Sequence, residues 1–342
     1  MLAFAEDAPG TGEVLNKRTG TIYTSLVDAV REAESDDTIT LGEGNYTLYK
    51  ISSEGMTNGK NLTFVGQGPD KTAWNIGAKV PDPANFGTEY NGDYSFDGAG
   101  TVTFKNMTLR SGNANYLGFI RPDQTVVDHC EIYGRASYWG YTSAVFTDTT
   151  FYAPPKDYAI WTYSSQTMIF DNCTFNTTGK AVNVYTDFSA GKHDITVYFN
   201  NCTVNSSILN KQALNINDSN MRPYKYIIHI DNPQTIDAAL SNTTCSQLFG
   251  FKEDKTTGFT GNTGYTDVYL GGDLVWTDGK MKTHSYTVGE KEDAYEITGR
   301  SDWTPSGAER IDECEVTKTC KHCGWTKKEL EHASVYLSLI HI

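Results

Sequence analysis

The amino-acid sequence predicts an all-β protein whose main part is a parallel β-helix, and three observations support that class. A short motif containing Asn or Asp recurs at intervals of 19–29 residues through the first 240 residues. Gly, Asn and Thr are frequent throughout, which disfavours a helical bundle or a coiled coil. Only one segment shows a strong helical pattern. Because a repeat of this length cannot bury its apolar face alone, stacked repeats must share one continuous core.

The helical pattern lies near the start of the chain, at residues 25–34. Apolar residues at positions 26, 29, 30 and 33 follow the spacing of one helix face. Thr24 or Ser25 can cap the N-terminus of this helix. The polar residues at 35–37 end it, and residues 38–41 then alternate as a strand does.

The repeated motif begins and ends with an apolar residue. Its copies start, in steps of 23, 19, 24 and 29 residues, at Phe104, Val127, Phe146, Phe170 and Phe199. Leu41 and Phe64 fit the same column if an insertion is placed within residues 79–95. We therefore expect these apolar residues to form one buried column, with backbones about 4.8 Å apart.

The third position of the motif is predicted to lie at a tight bend. An Asn there can hydrogen-bond to local backbone and to the Asn of the next repeat. The predicted ladder consists of Asn106, Asn172 and Asn201, with His129 and Asp148 in the same file. The next residue is expected to be a small buried thiol at Cys130, Cys173 and Cys202.

Residues 18–240 resemble the right-handed parallel β-helix proteins of the pectate-lyase-like superfamily. The resemblance is most specific at the helical segment and at residues 37–41 and 44–46, which are similar to the family's capping helix and first coil. It implies a right-handed single-stranded parallel β-helix with an N-terminal capping helix. This fold hosts lyases, hydrolases, adhesins and phage spikes, so the resemblance implies no single function.

Tyr and Trp are concentrated in the third strand of each repeat, beside Asn. Flat aromatic rings stack on the C–H faces of sugars, and amides bind their hydroxyls. The alternative is that aromatic residues simply favour strands. The glycan-binding residues predicted on this basis are Tyr138, Trp139, Tyr141, Trp161, Tyr163, Tyr185, Asn183, Asn215 and Asn217.

The case for catalysis is weaker than the case for binding. Glycoside hydrolysis needs two carboxylates facing each other across a sugar, and the best pair is Asp187 and Asp218. A lyase would need a basic residue and commonly Ca²⁺, for which Arg121 and Asp128 are weak candidates. Apart from Ca²⁺ in that case, we expect no cofactor.

The repeat is lost after residue 240. We predict a β-helix at 6–240, a cap or linker at 241–264 and a small β-rich module at 265–336. The segment around Cys320 and Cys323 resembles Cys-x-x-Cys-Gly repeats of surface proteins from anaerobic Gram-positive bacteria. A disulfide bond, free thiols and a zinc site remain open. The zinc ligands would be Cys314, Cys320, Cys323 and His332.

The two ends of the sequence are not expected to belong to the folded protein. Residues 1–5 have the small-x-small pattern of a signal-peptidase site, and we expect them to be the remnant of a secretory signal. Residues 337–342 resemble a translated sequencing adapter, and we expect them to be an artefact.

Charge and hydropathy exclude several classes of partner. The chain has 28 Lys and Arg against 42 Asp and Glu, a formal net charge of −14. This disfavours binding to nucleic-acid phosphates and to anionic membranes. No apolar run approaches the roughly 18 residues of a membrane span.

We expect an exported bacterial cell-surface protein, adhesin-like, that binds a polysaccharide or a cell-surface glycan. One alternative is a polysaccharide lyase or glycoside hydrolase that acts on an acidic polysaccharide. The other is a purely structural surface spike.

Overall fold

The structure is a computed structural model. The residues that it describes are 8–47, 54–76, 80–81, 89–90, 95–111, 116–152, 158–161, 166–177, 180–185, 194–206, 214–217, 225–231, 249–250, 266–270, 272–277, 280–281, 295–305, 311–320 and 326–334. Within these ranges there is one helix, α1, at Leu26–Glu32.

The strands are short and follow one another closely along the chain. The first sixteen are β1 Val14–Asn16, β2 Thr21–Tyr23, β3 Asp37–Leu41, β4 Gly44–Tyr46, β5 Leu62–Val65, β6 Thr72–Ile76, β7 Val80–Pro81, β8 Glu89–Tyr90, β9 Thr101–Lys105, β10 Thr108–Ser111, β11 Tyr116–Ile120, β12 Gln124–Asp128, β13 Glu131–Tyr133, β14 Arg135–Trp139, β15 Ser143–Thr147 and β16 Thr150–Tyr152. The others are β17 Tyr158–Trp161, β18 Thr167–Asp171, β19 Thr174–Thr177, β20 Lys180–Tyr185, β21 Ile195–Asn200, β22 Thr203–Ser206, β23 Leu214–Asn217, β24 Tyr226–Asp231, β25 Phe249–Gly250, β26 Thr266–Leu270, β27 Asp273–Thr277, β28 Lys280–Met281, β29 Tyr295–Arg300, β30 Thr304–Pro305, β31 Ile311–Cys320 and β32 Thr326–Ser334.

The chain is all-β with large parallel sheets. The first sheet has the order β2-β1-β3-β5-β9-β12-β15-β18-β21-β24-β26-β27-β28, the second β22-β19-β16-β13-β10-β6-β4, and the third β11-β14-β17-β20-β23-β25. From β9 to β23, three consecutive strands therefore enter three different sheets. Each new repeat lies beside the previous one in parallel register, which explains the near-constant step of the motif.

The apolar column of the first sheet forms the centre of the core. Phe104, Val127, Phe146, Phe170 and Phe199 follow one another in register, and each is at most 3% exposed. The ring of Phe170 stacks on its neighbours at positions 146 and 199, with centroids 5.0 Å apart on both sides. The predicted buried column is confirmed for these strands.

The same prediction is wrong for Leu41. Phe64 continues the column, but its partner on β3 is Ile39. Leu41 is also buried, two residues farther along the strand. Alternate residues of a strand face the same side, so both residues face the core and spacing alone could not choose between them.

The N-terminal end of the core is covered by α1 and β1. Ser25 caps the helix by accepting a hydrogen bond from the backbone N–H of Asp28 at 3.3 Å. The helix buries Leu26, Val27 and Val30 against the core. Strand β1 pairs antiparallel with β3. The expected helix at this end is confirmed, as a single short one.

A buried carboxylate joins these N-terminal elements. Asp37 accepts hydrogen bonds from Asn16 Nδ2 at 2.7 Å and from Arg18 Nε at 2.5 Å. It also accepts one from the backbone N–H of Glu34 at 2.9 Å. Burial alone would raise the pKa of Asp37, but these hydrogen bonds outweigh it and lower the pKa to about 2.

The C-terminal part contains two kinds of strand pairing. Strand β26 pairs in parallel with β24, so it extends the first sheet past residue 240. Strands β27 and β28 then add to it antiparallel. A separate four-stranded antiparallel sheet consists of β29, β30, β31 and β32.

Replacing Phe170 with Ala is expected to lower the free energy of unfolding by about 3–5 kcal/mol, because it leaves a cavity in the stacked column. Thr167→Ala, on the outward side of the same strand, should change it by less than about 0.5 kcal/mol. Chemical denaturation measures both. Equal losses of unfolding free energy in the two variants would show that the column does not stabilise the core.

Asp37 should make the N-terminal cap sensitive to acid. Its pKa is lowered in the folded state, so its contribution is present above about pH 4 and is lost as the pH falls towards about 2. Between these values, the free energy of unfolding of the parent protein should fall by about 2 kcal/mol more than that of Asp37→Asn. Urea unfolding across this pH range tests it, with Asp302→Asn as control. Parallel curves for the parent and Asp37→Asn would contradict this role.

Candidate functional site

A cleft of about 520 Å³ opens on the outward face of the second sheet. It is lined by Gly44, Asn45, Pro69, Asp70, Lys71, Ala73, Thr108, Arg110, Glu131 and Tyr133. These residues belong to β4, β6, β10 and β13 and to the loop that precedes β6. The cleft therefore crosses four neighbouring strands.

The alternation of each strand explains why polar and aromatic side chains face this cleft. Leu109, Ile132 and Phe151 of the second sheet are buried in the core, so the next residue of each strand faces outward. Parallel register places these outward residues in one row: Asn75, Arg110, Tyr133, Tyr152 and Asn176.

Arg110 leans away from the aromatic part of this row. Its Nε donates a hydrogen bond to Asn75 Oδ1 at 2.6 Å, and a terminal guanidinium nitrogen donates to Asn45 Oδ1. Asn45 lies two strands away from Arg110. Among the described residues Arg110 forms no ion pair. Its orientation leaves a floor of small residues, Ala73 and Thr108, in the cleft.

Tyr133 forms the aromatic wall of the cleft. Its ring stacks on that of Tyr152, with centroids 4.2 Å apart and planes 4° apart. Its hydroxyl donates to Glu131 Oε2 at 2.9 Å. Burial, together with the hydrogen bond to Glu131, raises the pKa of Tyr133, so its hydroxyl stays protonated. Tyr152 covers one ring face, and the other cleft residues lie on the opposite side. Tyr133 is 39% exposed, and its uncovered face borders the cleft.

Charges of both signs line the cleft. Lys71 forms an ion pair with Glu43 at 2.9 Å, and Asp70 and Glu131 add carboxylates. Together with the amides and Arg110 they offer both hydrogen-bond donors and acceptors. The cleft can therefore bind a polar ligand that has one apolar face.

The third sheet, where we expected glycan contacts, gives a mixed result. The prediction is wrong for Trp139, which is 1% exposed and packs edge-on against Phe146, with centroids 5.0 Å apart. It is a core residue because its side chain points between the sheets. Tyr141 is 45% exposed, and its hydroxyl donates to Asp97 at 3.4 Å.

The other predicted glycan-binding residues are described only as strand backbone or lie outside the described residues. Trp161, Asn183 and Asn215 share one register position across β17, β20 and β23. Tyr185 pairs with Asn217, and Tyr138 pairs with Phe119. Tyr163 lies outside the described residues.

The sequence contains a signal for the cleft row that the density of aromatic residues does not reveal. Arg110, Tyr133, Tyr152 and Asn176 each lie four residues after a bend residue of the motif. Counting from the bend would therefore have found the outward row of the second sheet.

The catalytic candidates are not brought together. Arg121 pairs with Asp97 at 2.5 Å, whereas Asp128 pairs with Lys105 at 3.3 Å. Arg121 precedes β12 and Asp128 is the last residue of β12, so the backbone of this strand, about 13 Å long, separates them. Asp187 and Asp218 lie outside the described residues.

The bend residues form one file at the corner between the first and second sheets. Asn106, His129, Asp148, Asn172 and Asn201 all have positive φ, between 48° and 53°. Each backbone N–H donates to a carbonyl of the next repeat. The side chains of all three Asn residues of the file are exposed.

Side chains in this file bind across neighbouring repeats. Asn172 Nδ2 donates to Asp148 Oδ1 at 2.5 Å, and His129 lies 2.6 Å from Asp128 and 3.5 Å from Asp148. Burial would raise the pKa of Asp128, but His129 and Lys105 outweigh it and lower the pKa. Three potential metal-ligand atoms of Asp128, His129 and Asp148 lie within 4.8 Å of one another. Because both carboxylates already have partners, the cluster is explained by these contacts alone.

The thiols that follow the bend are structural. Cys130, Cys173 and Cys202 are buried, and each donates a hydrogen bond to a backbone carbonyl, as Cys173 does to Phe146 at 3.5 Å. Burial raises the pKa of Cys130 to about 12. A thiol in this state is a poor nucleophile and a poor metal ligand.

The structure does not bring the predicted zinc ligands together. Cys314 and Cys320 are six residues apart on one strand, which is about 20 Å. His332 is the partner of Glu313, so it faces the side of the sheet opposite to buried Cys314. Cys314 instead accepts a hydrogen bond from Arg300 at 3.3 Å. Cys323 lies outside the described residues.

Comparisons with protein-family models, curated proteins and solved structures return no match for this chain. No family match therefore confirms the resemblance to the pectate-lyase-like superfamily. None of the helices in the described ranges is long and apolar enough to cross a membrane.

The left-handed backbone at Asn172 gives a direct test of the bend. Asn172→Val should destabilise the protein by at least about 1 kcal/mol more than Asn172→Gly, because a β-branched residue is strained at positive φ. Both variants lose the bond to Asp148, so the difference isolates the backbone term. Thermal or urea unfolding gives the comparison. A Gly variant as unstable as the Val variant would contradict the bend assignment.

Proposed function

We propose that the three sheets are the walls of a right-handed parallel β-helix and that the second-sheet cleft binds a glycan. The rotation of consecutive strands among three sheets supports this fold, and crossovers between parallel strands are almost always right-handed. The glycan assignment depends on one observation: the uncovered face of Tyr133 beside a polar cleft.

The chemistry of the cleft suits a sugar ring better than a purely apolar or purely charged ligand. The face of Tyr133 can stack on the C–H face of a sugar. Arg110, Asn45 and Glu131 can hydrogen-bond its hydroxyls from the rim. Tyr152 supports the Tyr133 ring from behind, which reduces the conformational freedom that binding must remove.

The expected location follows from this function and not from a separate observation. A surface glycan-binding protein is exported, and this location is part of the proposal. The binding experiment also distinguishes two alternatives. One is a lyase or hydrolase that cleaves the bound glycan, and the other is a purely structural surface spike.

Glycan-array binding by the parent protein, followed by titration of the best ligand, tests the proposal. Tyr133→Ala should weaken binding by about five- to tenfold, the value of one aromatic contact of about 1 kcal/mol. Tyr141→Ala is the matched control, because this Tyr is similarly exposed but lies away from the cleft. It should bind like the parent.

Three results would redirect the assignment. Absence of binding to any glycan would favour the structural spike. Loss of binding in Tyr141→Ala alone would place the site near the third sheet. New absorbance from an unsaturated product would show a lyase. Melting curves of both variants confirm that each is folded.

A further inference from the structure

The first sheet carries a second surface, on its outward face. One residue of each of six neighbouring strands lies there in register, and together they form the apolar row: Val126, Val145, Ile169, Tyr198, His229 and Tyr269. All six are partly exposed. Five strand spacings make the row about 24 Å long.

Three rings at one end of the row are stacked. The centroids of Tyr198 and His229 are 4.7 Å apart, and those of His229 and Tyr269 are 4.8 Å apart, with planes within 15° of each other. Burial lowers the pKa of His229, which favours the neutral ring in this stack. All three stacked residues are partly exposed.

An acidic row runs beside the apolar row, two residues farther along each strand. Its members are neighbours across successive strands: Asp128, Thr147, Asp171, Asn200 and Asp231. A carboxylate thus occurs on every second strand, at intervals of about 9.6 Å. Asp128 is paired with Lys105. Asp171 and Asp231 form no ion pair within the part of the chain that the structure describes.

The size and charge of this face argue against a second copy of the chain as its partner. The face measures roughly 24 Å by 13 Å, well under half of the ~800 Å² that each partner of a standard interface buries. Two copies would also each carry a formal charge of −14. A small basic ligand avoids both difficulties.

The spacing of the carboxylates selects the conformation of that ligand. A polyproline-II segment advances about 9.3 Å in three residues, close to the interval between the carboxylates. Same-side residues of a β-strand repeat at only about 6.7 Å. Aromatic side chains are also the usual contacts of polyproline-II segments in their binding sites.

We propose that this face binds a basic, proline-rich segment of a partner protein in the polyproline-II conformation. Its prolines lie along the apolar row, against Tyr198, His229 and Tyr269. Its Lys or Arg residues, one in every three, pair with Asp171 and Asp231. The surface is separate from the glycan cleft, so the two proposals stand or fall independently.

Fluorescence anisotropy with labelled 15-residue peptides tests the proposal. The (Pro-Pro-Lys)5 peptide should bind the parent protein, and (Pro-Pro-Glu)5 should not. A peptide with the same five Lys residues clustered at one end should bind at least several-fold more weakly. The Asp171→Asn/Asp231→Asn variant should lose about tenfold in affinity for (Pro-Pro-Lys)5.

The control variant is Glu296→Gln/Asp302→Asn, which removes the same charge from exposed positions elsewhere and should bind like the parent. His229→Ser, which breaks the ring stack, should weaken binding without changing the salt dependence. Equal binding of the regular and clustered peptides, or equal losses in the two double variants, would reduce the effect to non-specific charge attraction and overturn the proposal. A dimer in sedimentation that Asp171→Asn/Asp231→Asn abolishes would also overturn it.

Discussion

Parallel, in-register pairing of successive repeats determines both the core and the outer surfaces of this protein. Because neighbouring strands lie about 4.8 Å apart, residues at the same motif position of successive repeats are direct neighbours. Inside, this produces the stack around Phe170, with rings 5.0 Å apart on either side. Outside, it produces rows of side chains that hold the same register position in successive repeats.

The bend residues fix which side chains of the second sheet face outward and line the cleft. A left-handed residue such as Asn172 or His129 turns the chain between the first and second sheets. The residue after it enters the core as a thiol, and the residue four positions after it faces outward. Two of these outward residues, Arg110 and Tyr133, line the cleft together with the loop before β6.

The two surfaces differ in how they use the same geometry. In the cleft, Arg110 turns towards Asn45 and opens space beside the Tyr133 ring. In the apolar row, rings such as His229 remain stacked on their neighbours and leave no such space. The cleft therefore suits a ligand that enters between side chains, whereas the apolar row suits a ligand that lies along them.

Local periodicity in the sequence is enough to predict the all-β class, the repeat, the positions of the bends and the burial of Phe170 and Cys173. The core position of Trp139 and the place of Tyr133 beside a cleft emerge in the folded structure alone. Periodicity gives the alternation of a strand but not which alternate side faces the core. It also cannot give the register of β3, where Ile39 takes the place expected for Leu41. Those choices depend on contacts between repeats that are distant in sequence, and so did the separation of Cys314 from His332 on opposite faces of one sheet.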